Sequence, residues 1–103
     1  MDITTDGPAL VLAGQFDVRS TMEVRAAIYQ HLHECLDEEI FVDLTDVDAV
    51  DVTALKVLAV ATRSAERDGR HLRLRGCGPA VRRMLHVSHL RRLVAVEREK
   101  IPA

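Results

Sequence analysis

Four carboxylates fall within nine residues, at Asp43, Asp46, Asp48 and Asp51, with hydroxyls beside them at Thr45 and Thr53. Such residues can do two kinds of chemistry. Clustered carboxylates can hold a hard cation. A hydroxyl at a helix start can carry a phosphate, because unpaired N–H groups and a partial positive charge favour an anion there. The cation reading is the weaker one. The acids lack the spacing, the glycine and the terminal bidentate Glu of a calcium loop, so they read as solvated. Asp51 stands where a helix N-cap belongs, just before Val52-Thr53-Ala54-Leu55. Thr53 is therefore the hydroxyl closest to that helix start.

The other reactive side chains make no constellation. His31-x-His33 and His86-x-x-His89 fall on two helices, without the Cys, His or Glu set that completes a zinc site. Gly76-x-Gly78 is too short for a dinucleotide fingerprint and follows the wrong strand. Ser20, Ser64 and Ser88 lack a nucleophile-elbow setting. Cys35 and Cys77 do not make a disulfide framework and read as structural thiols at opposite ends of a sheet. A non-enzyme that needs no metal or cofactor is expected.

Positioning Asp51 and Thr53 takes a strand before them and a helix after. Ile40 to Leu44 is a short, mostly apolar run, as in a central strand covered on both faces. An acidic loop is expected from Thr45, and a helix from Val52 to Arg67 with Leu55, Leu58, Ala59 and Thr62 inward and Gly69 past its end. Ile3–Thr5 and Ala9–Ala13 form a candidate hairpin across Asp6-Gly7-Pro8, and Gly14 to Asp17 leaves its second strand. Ser20 and Glu23 match a capping box. The helix they open carries Val24, Ala27, Ile28, Leu32, Cys35 and Leu36 on one stripe, and Asp37-Glu38-Glu39 links it to the next strand. His71 to Arg75 alternates as a half-exposed strand. Pro79 opens a third helix with Val81, Met84 and Leu85 inward, and Val94–Val96 is a last strand before a polar tail, 97–103. The order β-β-α-β-α-β-α-β predicts an α/β domain with a mostly parallel sheet of four to five strands and three helices. In such sheets function gathers at the carboxyl ends of the strands. The loops 14–17, 45–52 and 76–79 all meet at that edge.

Composition narrows the function further. A chain of 103 residues that is 48% hydrophobic predicts one domain with a real core, and 3% aromatics make that core aliphatic. Few aromatics argue against base stacking on single-stranded nucleic acid. No apolar run approaches the roughly 20 residues that span a bilayer. The acidic start, Met1 to Asp6, has no signal-peptide features, so a cytoplasmic protein is expected. Residues 1–55 hold twelve acidic and two basic residues, while residues 56–103 hold four and twelve. The basic half carries no nucleic-acid motif. Its arginines read as solvated faces, and a two-signed surface suits a protein partner steered electrostatically.

The chain resembles a known family over nearly its whole length. Gly14-Gln15-Phe16-Asp17 resembles the Gly-Glu-Leu-Asp element of STAS domains. Val42-Asp43-Leu44-Thr45, with Val50-Asp51-Val52-Thr53-Ala54-Leu55, resembles the Asp-Leu-Ser… Asp-Ser-Ser-Gly-Leu signature of the bacterial anti-sigma-factor antagonist (anti-anti-sigma) type. Gly78 to Leu85 with Leu90 resembles the late helix. The resemblance implies the STAS fold and a partner, an anti-sigma factor of the serine-kinase type, whose capture frees a sigma factor for transcription. It also implies an off-switch, in which the kinase phosphorylates the first hydroxyl after the signature Asp. A dianion at a protein interface repels and costs desolvation. Here that position is Val52, which has no hydroxyl, and Ala54 replaces Gly. Thr53 is then either a shifted phosphoacceptor or a hydroxyl that pads the first turn. A protein that binds its partner without phospho-control is preferred. The resemblance makes Asp17, Asp51, Val52, Thr53, Ala54 and Leu55 the partner-binding set, with helix capping as the alternative for Asp17 and above all for Asp51, and a structural hydrogen bond for Asp43. The family's final helix is expected to be missing or reduced after Val96. Two other roles stay open: a STAS subunit of a larger complex such as a lipid-transport ATPase, and a nucleotide-sensing domain.

Overall fold

The computed structural model describes residues 1–97. Five strands form one sheet in chain order: β1 (Asp2–Asp6), β2 (Ala9–Phe16), β3 (Glu39–Val50), β4 (His71–Arg75) and β5 (Ala95–Val96). β1 and β2 pair antiparallel, and every later pair is parallel. Each parallel connection carries a helix: α1 (Thr21–Glu34), α2 (Val52–Arg67) and α3 (Pro79–Val87). α1 and α2 pack on each other, and α3 packs on β3. The expected α/β architecture is the observed one. A 3-10 turn at Arg91–Leu93, which the sequence pattern did not announce, shortens the last strand to two residues. The expectation for the tail 97–103, and for a reduced final helix, falls from residue 98 onward outside the described residues.

The core is aliphatic, as the scarcity of aromatics requires. Leu10, Leu12, Val42, Leu44, Leu72 and Leu74 from the sheet meet Val24, Ile28, Leu55, Leu58 and Leu85 from the helices, with Phe16 the one aromatic ring fully buried among the described residues. Fully burying such side chains is worth about 1.5–3 kcal/mol each against leaving them exposed. Register keeps the central strands together, with Ile40 opposite Leu72 and Val42 opposite Leu74.

The largest correction concerns the acidic stretch. Thr45 to Val50 is not a loop. It continues β3 and pairs with β2 as far as Phe16 opposite Val50. Between Val11/Asp43 and Ala13/Asp46, β3 advances one residue more than β2, and it does so again between Gly14/Val47 and Gln15/Ala49. Each extra residue is a bulge. Bulges break strict alternation, so Thr45 and Asp46 are exposed in succession while Val47 is buried. That broken pattern reads as a loop in the sequence. Gly14 to Phe16 likewise stays in β2 instead of leaving it, with Gly14 at φ 105°.

Smaller corrections concern α1. Ser20 is its N-cap residue but makes no side-chain cap, so the capping box with Glu23 does not form. Its hydroxyl serves the preceding turn instead, accepting from the Asp17 N–H at 3.2 Å and lying 3.1 Å from the Asp17 carbonyl. The helix ends at Glu34, so Cys35 and Leu36 leave the inner stripe, and Leu36 is 87% exposed. His31 takes an inward place on the helix, with Nε2 at 3.0 Å from the Pro8 carbonyl. The Arg70 guanidinium donates to the carbonyls of Leu32, Cys35 and Asp37 around the end of α1, where the helix leaves carbonyls without intrahelical partners. Glu39, expected in the link, begins β3. α2 ends as its sequence predicts: Gly69 sits at φ 72°, and the Arg70 and Gly69 N–H groups bond the Ala65 and Glu66 carbonyls in a Schellman motif.

Candidate functional site

The carboxyl ends of β2, β3 and β4 meet at one edge, and Asp51 holds that edge together. β3 stops at Val50, and Asp51 takes an extended backbone as the N-cap of α2. Its Oδ1 accepts from the Ala54 N–H at 2.8 Å, and its Oδ2 accepts from the Val18 N–H at 3.0 Å. One carboxylate therefore caps α2 and pins the loop that follows β2. The Asp51 N–H also donates to the Phe16 carbonyl at 3.3 Å, which closes the same corner. The capping role expected of Asp51 is present, and the second bond across 33 residues is a positioning role that the sequence did not signal.

Asp17 lies beside this corner, in the loop that Asp51 pins, with its own carboxylate occupied by Arg19. Arg19 Nη2 sits 2.8 Å from Asp17 Oδ2, and the Arg19 backbone N–H donates to Asp17 Oδ1 at 2.9 Å. These bonds hold the Asp17 carboxyl below the usual carboxylate range, the guanidinium bond contributing most. Arg19 also reaches Gln15 Oε1 at 3.3 Å. A polar cavity of about 430 Å³ opens here, lined by Met1, Gln15, Asp17, Arg19, Ser20 and Glu23.

The start of α2 divides its residues cleanly. Ala54 and Leu55 are buried, so they hold the helix on the sheet and offer no side-chain surface to a partner. Val52 and Thr53 are exposed. The Thr53 hydroxyl makes no hydrogen bond among the described residues, because Asp51 already caps the turn. Of the six residues expected to bind a partner, the structure thus gathers Asp51, Val52 and Thr53 at the rim, sets Asp17 next to them in the β2–α1 loop, and turns Ala54 and Leu55 inward. Two apolar side chains escaped the sequence reading: Val18 is 62% exposed and Met22 is 73% exposed, both at this same end of the sheet. Their signal was an apolar residue standing just before and just inside a helix start without a place on its stripe. Asp43 serves the chain itself. Its Oδ1 accepts from the Thr45 N–H at 2.9 Å and from Thr45 Oγ1 at 2.6 Å.

The third loop is built around Gly76, which sits at φ 69°. A Cβ there would stand 2.0 Å from Thr45 Oγ1 and 3.0 Å from the Thr45 nitrogen. Only glycine lets β4 turn this close under β3. Cys77 is buried and Cys35 half-buried, and neither forms a disulfide. Among the described residues no group of three His, Cys, Asp or Glu side chains could hold a metal ion, and no helix is long and apolar enough to cross a membrane.

A family model described as "Mlab, STAS domain" matches residues 1–95. The chain belongs to the STAS-domain family. Solved structures carry the same fold. A Thermotoga maritima protein proposed as an anti-sigma factor antagonist matches with TM-score 0.74 and 19% identity, over 92% of this chain and 83% of its own. A variant of RsbS from Moorella thermoacetica matches with TM-score 0.71 and 22% identity, over 96% and 86%. The anti-sigma factor antagonist SpoIIAA in its unphosphorylated form matches with TM-score 0.65 and 14% identity, over 96% and 88%. No curated protein matches the chain. At these identities the structural likeness establishes the STAS fold.

Proposed function

We propose that this STAS domain, read as one unit over residues 1–103, is a cytoplasmic anti-sigma-factor antagonist. It docks on an anti-sigma factor of the serine-kinase type and so releases a sigma factor for transcription. It binds and does no chemistry of its own. The observation that carries this reading is the rim itself: Val18, Met22, Val52 and Thr53 are exposed around a corner that Asp51 locks with two side-chain hydrogen bonds. Exposed apolar side chains on a pre-formed surface give an interface its water-excluding centre at little ordering cost. Asp17 and Arg19 set a paired charge at its margin. Likeness in fold to anti-sigma factor antagonists supports the same reading.

Regulation differs from the family pattern. Val52 occupies the position of the usual phosphoacceptor. A valine there can pack on a partner and cannot be phosphorylated, so docking persists in the presence of ATP. Thr53 has no capping duty, but on this reading it is a contact and not a switch.

Affinity capture of the protein from its own cell lysate, with and without ATP and read by mass spectrometry, tests both parts. An anti-sigma factor retained under both conditions is expected. Its release by ATP with phosphate on Thr53 would instead make Thr53 the acceptor, shifted by one residue, and Thr53→Glu would then weaken binding. The valine also suits a second role, a STAS subunit that permanently braces the nucleotide-binding subunit of a transport ATPase. Stoichiometric co-purification of such an ATPase, with no anti-sigma factor, would replace the leading function.

A further inference from the structure

Five basic side chains line two adjoining cavities on the β5 side of the molecule, with no acid among the described lining residues. One cavity of about 440 Å³ is lined by Leu85, His86, His89, Arg91 and Arg92. A second, of about 220 Å³, shares Leu85, His86 and Arg91 and adds Arg82 and Val96. The 3-10 turn that supplies Arg91 and Arg92 leads into β5, which runs parallel to β4, so the cavity of His86, His89, Arg91 and Arg92 lies toward the amino ends of the strands, while Arg82 reaches the smaller cavity from the first turn of α3. The larger cavity is therefore separate from the Asp51 corner at the carboxyl ends.

The local backbone brings these charges together at a cost. His89 adopts φ 61°, a left-handed conformation that a non-glycine residue takes reluctantly. That reversal stops α3 and folds the Arg91–Leu93 turn back toward His86. Arg91, Arg92, His86 and His89 make no side-chain ion pair or hydrogen bond among the described residues. Arg82 places its Nε on the Cys77 carbonyl at 2.8 Å, which fixes the direction of its guanidinium. Glu97, the nearest acid in sequence among the described residues, is held by Arg75 at 2.8 Å. Arg91 and Arg92 both line the larger cavity, where their like charges favour an anion, and Arg92 also borders a neighbouring cavity lined by Arg63 and Glu66.

We propose that this cavity binds a phosphate group. Guanidinium forks match phosphate oxygens in paired, charge-assisted hydrogen bonds, and two imidazoles lining the same cavity add N–H donors. Arg91 and Arg92 would be the principal contacts, with His86 and His89 orienting the group over the apolar floor of Leu85. The phosphate belongs either to a free phosphorylated small molecule or to the headgroup of an anionic lipid, and the test separates the two.

Two probes serve: sodium pyrophosphate in solution, and vesicles of equal parts phosphatidic acid and phosphatidylcholine, with pure phosphatidylcholine vesicles as control. Binding is read by NMR shifts of the His86 and His89 imidazoles and by co-sedimentation. Saturable binding of pyrophosphate that shifts both imidazoles, and that falls about tenfold or more in Arg91→Ala/Arg92→Ala, supports the proposal with a free phosphate as source. Binding only to the phosphatidic acid vesicles, lost in the same variant, supports it with a lipid source. Failure of both probes to bind, or binding that the double variant leaves intact, overturns it. Arg25→Gln on α1 must keep full binding, since a loss there would mean diffuse charge attraction and would equally overturn the site. If the double variant is misfolded by circular dichroism, His86→Gln at an exposed position gives the same decision. Neither readout depends on capture of an anti-sigma factor, so this proposal and the function proposed above can fail independently.

Discussion

Asp51 is the residue on which the candidate site turns. Removing its carboxylate leaves the Ala54 N–H uncapped and frees the loop at Val18. Asp51→Ala is expected to cost about 1–2 kcal/mol of stability, read as a lower urea midpoint at unchanged slope, while Asp51→Asn keeps most of it. Equal stability of all three proteins would remove Asp51 from this role. The cap was legible as an acid before an apolar helix start. The bond to Val18 was not, because sequence spacing says nothing about which loop lies across the corner. Asp17 carries a second expectation. Arg19 lowers its pKa in the folded protein, so the contact stabilises above the ordinary aspartate range and is lost as pH falls through the depressed value. In Arg19→Ala the Asp17 carboxyl should titrate higher, followed by carbon-13 NMR; the same titration in both proteins would mean the pair does not form in solution.

At the scale of elements, the bulged strand β3 and the turn after β4 depend on each other. Asp43 ties down Thr45, and Thr45 lies over Gly76. A methyl group at position 76 would collide with the Thr45 backbone as well as its hydroxyl, and would sit at a positive φ. Gly76→Ala should therefore cost on the order of 1–3 kcal/mol and disturb the amide resonances of Thr45 to Asp48. A thermal midpoint unchanged from the parent would show that this approach is looser than the structure has it. The second half of β3, from Thr45 to Val50, escaped reading for a physical reason. Each bulge shifts the side-chain period by one residue, so a strand of twelve residues shows an apolar run and then an irregular acidic stretch. α2, which has one uninterrupted helical stripe and clear signals at both ends, was read to its observed bounds.

For the whole molecule, the sheet order repeats the chain order, so the charge asymmetry of the sequence becomes a spatial one. The acidic half, with β1 to β3, lies toward one edge, and basic β4, α3 and the final turn toward the other. The same topology keeps the thiols apart. Cys35 follows α1 at the amino ends of the strands, and Cys77 follows β4 at the carboxyl ends. Two alkylated cysteines are expected by mass after treatment of the unfolded, unreduced protein, with Cys35 modified first in the native state because Cys77 is buried. A single intramolecular disulfide in the isolated protein would contradict this arrangement.

Local patterning alone determined the order of the five strands and three α-helices, because amphipathic periods, caps and glycine stops are local physics. It also carried the resemblance to the STAS family. Tertiary structure decided the rest. Pairing with β2 made a strand of the acidic stretch. Packing turned Ala54 and Leu55 into the core and left Val52 and Thr53 outside. Chain reversal at His89 brought His86, Arg91 and Arg92 to one cavity. Each of these depends on which distant segment lies alongside, and that is set by the burial of the whole core and not by any short stretch.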